Sequence, residues 1–442
     1  MIRSFTKLLE RAPAAVLVCY AMAAAFTTYF CMYAFRKPFS AGTYTAADGS
    51  AIGFFGTGLD LKTAFVTSQL IGYALSKYIG IKVCSEMTRS KRAFVLIALV
   101  LAAHLSLLAF AVLPQSMKFA ALFINGLPLG MVWGLVVWYL EGRRTSEVLL
   151  AGLSASFILA SGVVKDVGRW LMSDAVGVSE WWMPFATGLV FLPVFLVAVF
   201  MLNLIPEPDA ADEAARSHRE PMDGTDRWAF LKRFAPGLTL LIVAYFFLTA
   251  FRDFRDNFGI EVFKGLGYGE EPGIFSRSEV WVAFGVLVPL GLLFLIRQNR
   301  AGLLAALGIM LVGSALMGVA TIALQADAIS GLTWMILIGL GAYLAYVPYG
   351  SVLFDRLIAC TRVTGTAVFA IYLADALGYT GTVAIYFTKD LLFDGVSRLS
   401  FMIGFSYFMS ILGVVLLTFS AVYFYRVSRR HKEGQPLQES LA

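Results

Sequence analysis

The sequence predicts an all-α membrane protein of twelve transmembrane helices arranged as two six-helix bundles. Three observations predict it. The chain has 442 residues, of which 59% are hydrophobic and only 14% charged. Its apolar runs recur at about 20 residues, the length at which a helix crosses roughly 30 Å of hydrocarbon. One long polar segment, IPEPDAADEAARSHREPMDGTDRW at 205–228, divides those runs into two equal sets. The expected domains are an N-terminal bundle at 1–204, a cytoplasmic linker at 205–228, and a C-terminal bundle with a cytoplasmic tail at 229–442.

The spans fall at 13–38, 61–83, 93–113, 119–140, 148–172 and 181–204 in the first half. Those of the second half fall at 233–258, 274–296, 301–323, 331–354, 364–387 and 399–425. Each is bounded by charges, glycine or proline. Arg3, Lys7, Glu10 and Arg11 precede span one, and no small-residue cleavage site follows it, so it reads as a retained span and not a removed signal peptide. Loops that an arrangement with both termini inside places in the cytoplasm hold most of the 35 Lys and Arg, including Arg89, Lys91, Arg92, Arg143, Arg144, Arg429 and Arg430. The positive-inside rule then puts both termini on the cytoplasmic face of an inner membrane. The net charge of +6 is explained by loop position and calls for no nucleic acid. Cys19, Cys31, Cys84 and Cys360 show no CxxC or paired spacing, so neither a disulfide framework nor a metal site is expected.

Basic residues that loops do not absorb are Arg36, Lys37, Lys77, Lys165, Arg169, Arg252 and Arg255. An ionisable side chain inside a span is expensive unless it faces a cavity or a partner, so each is a candidate functional residue. Span one ends in YAFRKPF, and its Ala34-Phe35-Arg36 recurs as Ala250-Phe251-Arg252 near the end of span seven. An internal parallel repeat predicts such a match. Two matching arginines from two halves would suit a tetrahedral oxyanion, which a guanidinium fork grips in bidentate fashion. Lys77, deep in span two within GYALSKYIGIKV, is too far from either surface to snorkel easily and is expected to line a polar cavity.

Span four brings Gly126 and Gly130, which permit close backbone approach. In span five, Lys165, Asp166 and Arg169 read either as a self-neutralising cluster or as site charges. Around Arg255 in FRDFRDNF, the residues Asp253, Asp256 and Asn257 are expected to compensate it, leaving Arg252 the less committed cation. Span ten offers Tyr343, Tyr346 and Tyr349 at helical spacing. Asp375 in span eleven is a lone carboxylate, either the partner of a cation from another helix or a proton carrier.

YAFRKPF, GYALSK, NGLPLGMVWG followed by EGRR, and AYVP followed by TRVTGTA together resemble the major facilitator superfamily and, within it, the organophosphate:phosphate antiporters. The resemblance implies that Arg36 and Arg252 are the paired phosphate-binding arginines, that Lys77 is a further cation at the site, and that Tyr73 gives it a hydroxyl. It departs from the family pattern in two places. The inner loop has Glu86 and Met87 where the family has an aspartate and then an arginine, and span five offers Ser161 or Lys165 where the family has a histidine.

These readings predict a monomeric secondary active transporter that moves a small anionic, phosphorylated solute by alternating access, in exchange for inorganic phosphate and without a cofactor. A proton-coupled symporter of an organic anion is the alternative, as is a transporter-like membrane sensor of such an anion. The chain has no GxxxxGK[ST] of a primary pump. It also lacks HExxH, GxSxG and any His-Asp cluster, so no catalytic residues are assigned and an enzyme is not expected.

Overall fold

A computed structural model describes residues 2–46, 52–85, 87–141, 143, 145–209, 212, 224–361, 367–393 and 395–432. Glu86, Arg144, His218 and residues 362–366 of the TRVTGTA stretch lie outside the described residues. In the first half the helices are α1 (Ile2–Glu10), α2 (Ala14–Tyr33), α3 (Leu61–Ser85), α4 (Arg89–Val112), α5 (Lys118–Leu129), α6 (Val132–Leu140), α7 (Ser146–Met172) and α8 (Met183–Asn203). The second half has α9 (Gly224–Asn257), α10 (Gly259–Gly265), α11 (Ile274–Phe294), α12 (Asn299–Gln325), α13 (Gly331–Ser351), α14 (Leu353–Thr361), α15 (Ala367–Leu392) and α16 (Arg398–Lys432).

Among the described residues, ten helical segments are long and apolar enough to cross a membrane. The expected spans two and eleven are present as α3 and α15 but are not among those ten. Large apolar side chains such as Leu105, Val288, Val312 and Ile411 are exposed, as lipid-facing helix surfaces require.

Two spans differ from expectation for local reasons. Span one stops at Tyr33, five residues early, and gives way to a 3₁₀ turn at Pro38–Ala41. Pro38 has no N–H to continue the ladder. Span four is split into α5 and α6 at Gly130 and Met131, just beyond Pro128.

The chain forms two compact units. The first comprises Met1–Arg216, Phe254–Ala283 and Val383–Phe401, and the second Ser217–Asp253, Phe284–Thr382 and Met402–Ala442. In the first unit α3 packs on α5. A Cβ at Gly126 would overlap the Gln69 carbonyl and the Tyr73 amide, and one at Gly72 would overlap the Phe123 carbonyl. These glycines let two backbones touch, the small-residue packing that membrane helices use. The second unit repeats the device where Gly313 of α12 meets Gly341 of α13.

Candidate functional site

Where α2 ends, its last amides still find partners: Arg36 N donates to Tyr33 O at 3.0 Å and Lys37 N to the same carbonyl at 2.8 Å. The carbonyls of Phe35 and Arg36, which a continued helix would have covered, take side-chain donors instead. Asn125 Nδ2 of α5 donates to Phe35 O at 3.0 Å, and Gln69 Nε2 of α3 to Arg36 O at 2.8 Å.

The Arg36 guanidinium lies over the Tyr73 ring, 3.8 Å from its centroid, with the Tyr33 ring at 5.9 Å. Lys77 Nζ approaches the same Tyr73 ring at 5.3 Å. Three of the four residues expected at the substrate site are therefore assembled within the first unit, and Tyr73 meets both cations with its ring face. A tyrosine face contributes about 0.5–2 kcal/mol to each such contact. Arg36 and Lys77 are only 3% and 7% exposed, so both charges are sheltered from solvent.

Arg252 belongs to the second unit and lies inside α9, which continues as helix to Asn257. Its Nη2 meets Asp253 Oδ1 at 2.7 Å, and its Cζ lies 4.1 Å from the Tyr346 ring centroid. Thr382 Oγ1 donates to Asp253 Oδ2 at 3.3 Å. Tyr346 stacks on Tyr245 at 5.1 Å, and the Tyr245 hydroxyl donates to Asp375 Oδ1 at 2.6 Å. Asp375 thus accepts from a phenol.

The cations beside these two arginines are distributed differently from the sequence reading. Asp253 pairs with Arg252, and Arg255 Nη1 meets Glu279 Oε1 at 2.7 Å. Asp256 takes two lysines of the first unit, Lys37 at 2.5 Å and Lys165 at 2.7 Å, and accepts from the Ser161 hydroxyl as well. Lys37 Nζ also donates to Asn257 Oδ1 at 2.9 Å, and Asn257 Nδ2 donates to the Tyr386 hydroxyl at 2.9 Å.

Lys165, Asp166 and Arg169 form no cluster of their own. Asp166 accepts from the Ser276 amide and hydroxyl, both at 2.6 Å, while Arg169 donates to the carbonyls of Gly269 and Glu271. Lys165 is drawn to Asp256 and Asp166 to Ser276, so the two adjacent side chains go to different partners.

Further ion pairs come from charges at the ends of spans and in the loops beside them. Lys62 Nζ meets Glu261 at 2.5 Å, and the Arg398 fork reaches Asp60 and Asp390, each at 2.6 Å. Arg398 also lies 4.3 Å over the Phe258 ring. Burial raises the pKa of the Asp60 carboxyl, Arg398 pulling the other way and Asp390 adding to the rise. Hydropathy gives no warning of such pairs, because a charge at a helix end reads as a charge in water. Gln69 and Asn125 escape the sequence reading because an uncharged carboxamide barely alters an apolar run. The available signal is Pro38, which exposes carbonyls that must find donors elsewhere.

Among the described residues no group of three His, Cys, Asp or Glu side chains is placed to hold a metal ion. The fold is similar to the crystal structure of a D-xylose-proton symporter, with a TM-score of 0.56 at 18% sequence identity, covering 92% of this chain and 97% of that one. That likeness is one of fold, and together with the ten long apolar helices it supports a multi-pass membrane protein. No curated protein matches the chain in sequence. A family described as "Family of unknown function (DUF5690)" matches residues 38–427, and the chain belongs to that family.

Proposed function

We propose that the chain is a secondary active transporter that moves a small anionic, phosphorylated solute across the cytoplasmic membrane by alternating access, in exchange for inorganic phosphate. In this reading the twelve spans form two six-helix bundles with both termini cytoplasmic, the protein works as a monomer, and Arg36 and Arg252 hold the anion from the two halves. The observation that carries the reading is the pair of buried cations, Arg36 and Lys77, on the one Tyr73 ring. A small anion held beside them would be attracted by both charges, an attraction that a low-dielectric interior strengthens.

Asp256, gripped by Lys37 and Lys165, has a place in the same cycle. Residues 254–283 and 383–401 are tied into the first unit through such pairs, and an alternating-access cycle would have to break them.

One observation favours a second reading, proton-coupled symport. Asp375 receives the Tyr245 hydroxyl at 2.6 Å, and an intramembrane acid can cycle between charged and neutral forms. The similar fold is that of a protein titled a sugar-proton symporter. Liposomes loaded with or without phosphate, each with and without an inward proton gradient, separate the two. Exchange predicts that internal phosphate accelerates uptake and that a proton gradient alone drives none. Accumulation in phosphate-free vesicles that an uncoupler collapses, and that Asp375→Asn loses, would establish symport instead.

A further inference from the structure

We propose that Gln69 and Asn125 are positioning residues that set where the Arg36 guanidinium sits, by clamping the two peptide carbonyls on either side of its Cα. The inference rests on the reading of Arg36 as an anion-binding residue.

Both carboxamides are buried and use every donor they own. Gln69 Nε2 donates to Arg36 O at 2.8 Å and to Asn125 Oδ1 at 2.7 Å. Asn125 Nδ2 donates to Phe35 O at 3.0 Å and to Ala103 O at 2.9 Å. A carboxamide nitrogen has two hydrogens and each is spent, so the network satisfies only one orientation of each group. The chain of bonds runs from α4, through α5 and α3, to the unwound end of α2.

The need for the clamp originates in Pro38. With the helix stopped at Tyr33, the Phe35 and Arg36 carbonyls are released into an apolar interior, where an unsatisfied carbonyl is expensive. Gln69 and Asn125 meet that need and, in doing so, fix the peptide units on both sides of Arg36.

Gln69 belongs to a stripe on α3. Gln69, Tyr73 and Lys77 lie at successive steps of four and therefore on one helix face. Gln69 clamps the Arg36 backbone, Tyr73 carries its guanidinium, and Lys77 shares the ring. Gly126 sits next to Asn125 on α5, and its missing Cβ brings α3 close enough for Gln69 to reach Asn125. Backbone clamp and side-chain platform thus come from the same two packed helices, which makes the position of Arg36 a property of the α3–α5 contact.

Inorganic phosphate and iodide are titrated against purified full-length protein and three variants: Gln69→Met, which keeps the volume and removes both donors; Gln69→Leu, which removes both donors with a shorter uncharged side chain; and Arg36→Lys. A mis-aimed fork loses the bidentate grip on phosphate but keeps its attraction for a spherical anion. The expected result is a loss of about tenfold in phosphate affinity for each Gln69 variant, with iodide affinity unchanged and no further loss when Gln69→Met is combined with Arg36→Lys. If Gln69→Met fails to fold, Gln69→Leu carries the same comparison. Wild-type phosphate affinity in the Gln69 variants, or an equal loss for phosphate and iodide, would overturn the positioning role. Wild-type phosphate affinity in Arg36→Lys would overturn the anion-site reading itself, whatever the Gln69 variants do.

Discussion

Ala34-Phe35-Arg36 and Ala250-Phe251-Arg252 are the same three residues set in two different backbones. The first lies just past the end of a helix, its carbonyls held by side chains of α3 and α5. The second lies inside a helix that runs on to Asn257. The residues after each triplet decide the difference: Lys37-Pro38 stops the ladder, whereas Asp253-Phe254 continues it. Both arginines nonetheless rest on a tyrosine face, Tyr73 at 3.8 Å and Tyr346 at 4.1 Å. A repeat in sequence therefore preserved a cation on an aromatic platform without preserving the backbone that supports it. Arg252 is also held by the carboxylate of its own neighbour, Asp253, and Arg36 stands close to a second cation through their shared ring.

If the two arginines do the same work from different supports, replacing either by lysine gives the largest effect. Arg36→Lys and Arg252→Lys are each expected to lower uptake by about 100-fold while the protein remains folded in the membrane, because a point charge cannot reproduce a planar fork. Near-normal uptake by only one of them would show that the halves are not equivalent in function.

Pro38→Ala tests the support of Arg36 alone. The substitution restores an amide donor and lets α2 continue, which swings Arg36 away from Gln69 and Tyr73. An uptake loss of about tenfold is expected, with recovery in neither Gln69 variant. Wild-type uptake would mean that the helix end is incidental.

Lys77→Ala sharpens the comparison from the other side. Removing one of two buried like charges relieves a desolvation cost, so the melting temperature should hold or rise while anion affinity falls about fivefold. Lower stability with unchanged affinity would instead make Lys77 half of a structural pair. The smallest effect is expected from Tyr346→Phe. It keeps the ring beneath Arg252 and removes only the hydroxyl, so the change in substrate affinity should stay below about threefold, whereas Tyr346→Leu should exceed it.

Much of this arrangement is legible in the sequence. Arg36, Lys77 and Arg252 stand out because each interrupts an apolar run, and Tyr73 comes from the family resemblance. The helices form where the apolar runs lie, since length and hydropathy settle that much. Partner assignments are less legible. Near neighbours in sequence suggest themselves as ion pairs, yet Lys165 reaches Asp256 and Asp166 reaches Ser276. Side-chain direction around a helix, and the approach of segments far apart in the chain, decide such pairs. Charges at helix ends, such as Asp60 and Arg398, read as water-facing for the same reason. Gln69 and Asn125 have no signature of their own, and their role emerges only from the carbonyls that Pro38 releases.

The most direct test of the central claim, that the chain binds a small phosphorylated anion through Arg36 and Arg252, is a thermal-shift series on the purified full-length protein. The ligands are inorganic phosphate, glycerol phosphate, sugar phosphates, dicarboxylates and D-xylose, each tested on the wild type, Arg36→Lys and Arg252→Lys. The account predicts that a phosphorylated ligand raises the melting temperature of the wild type, that neither variant responds, and that D-xylose shifts none of the three. A shift with D-xylose alone, or a phosphate-induced shift retained by both lysine variants, would contradict it.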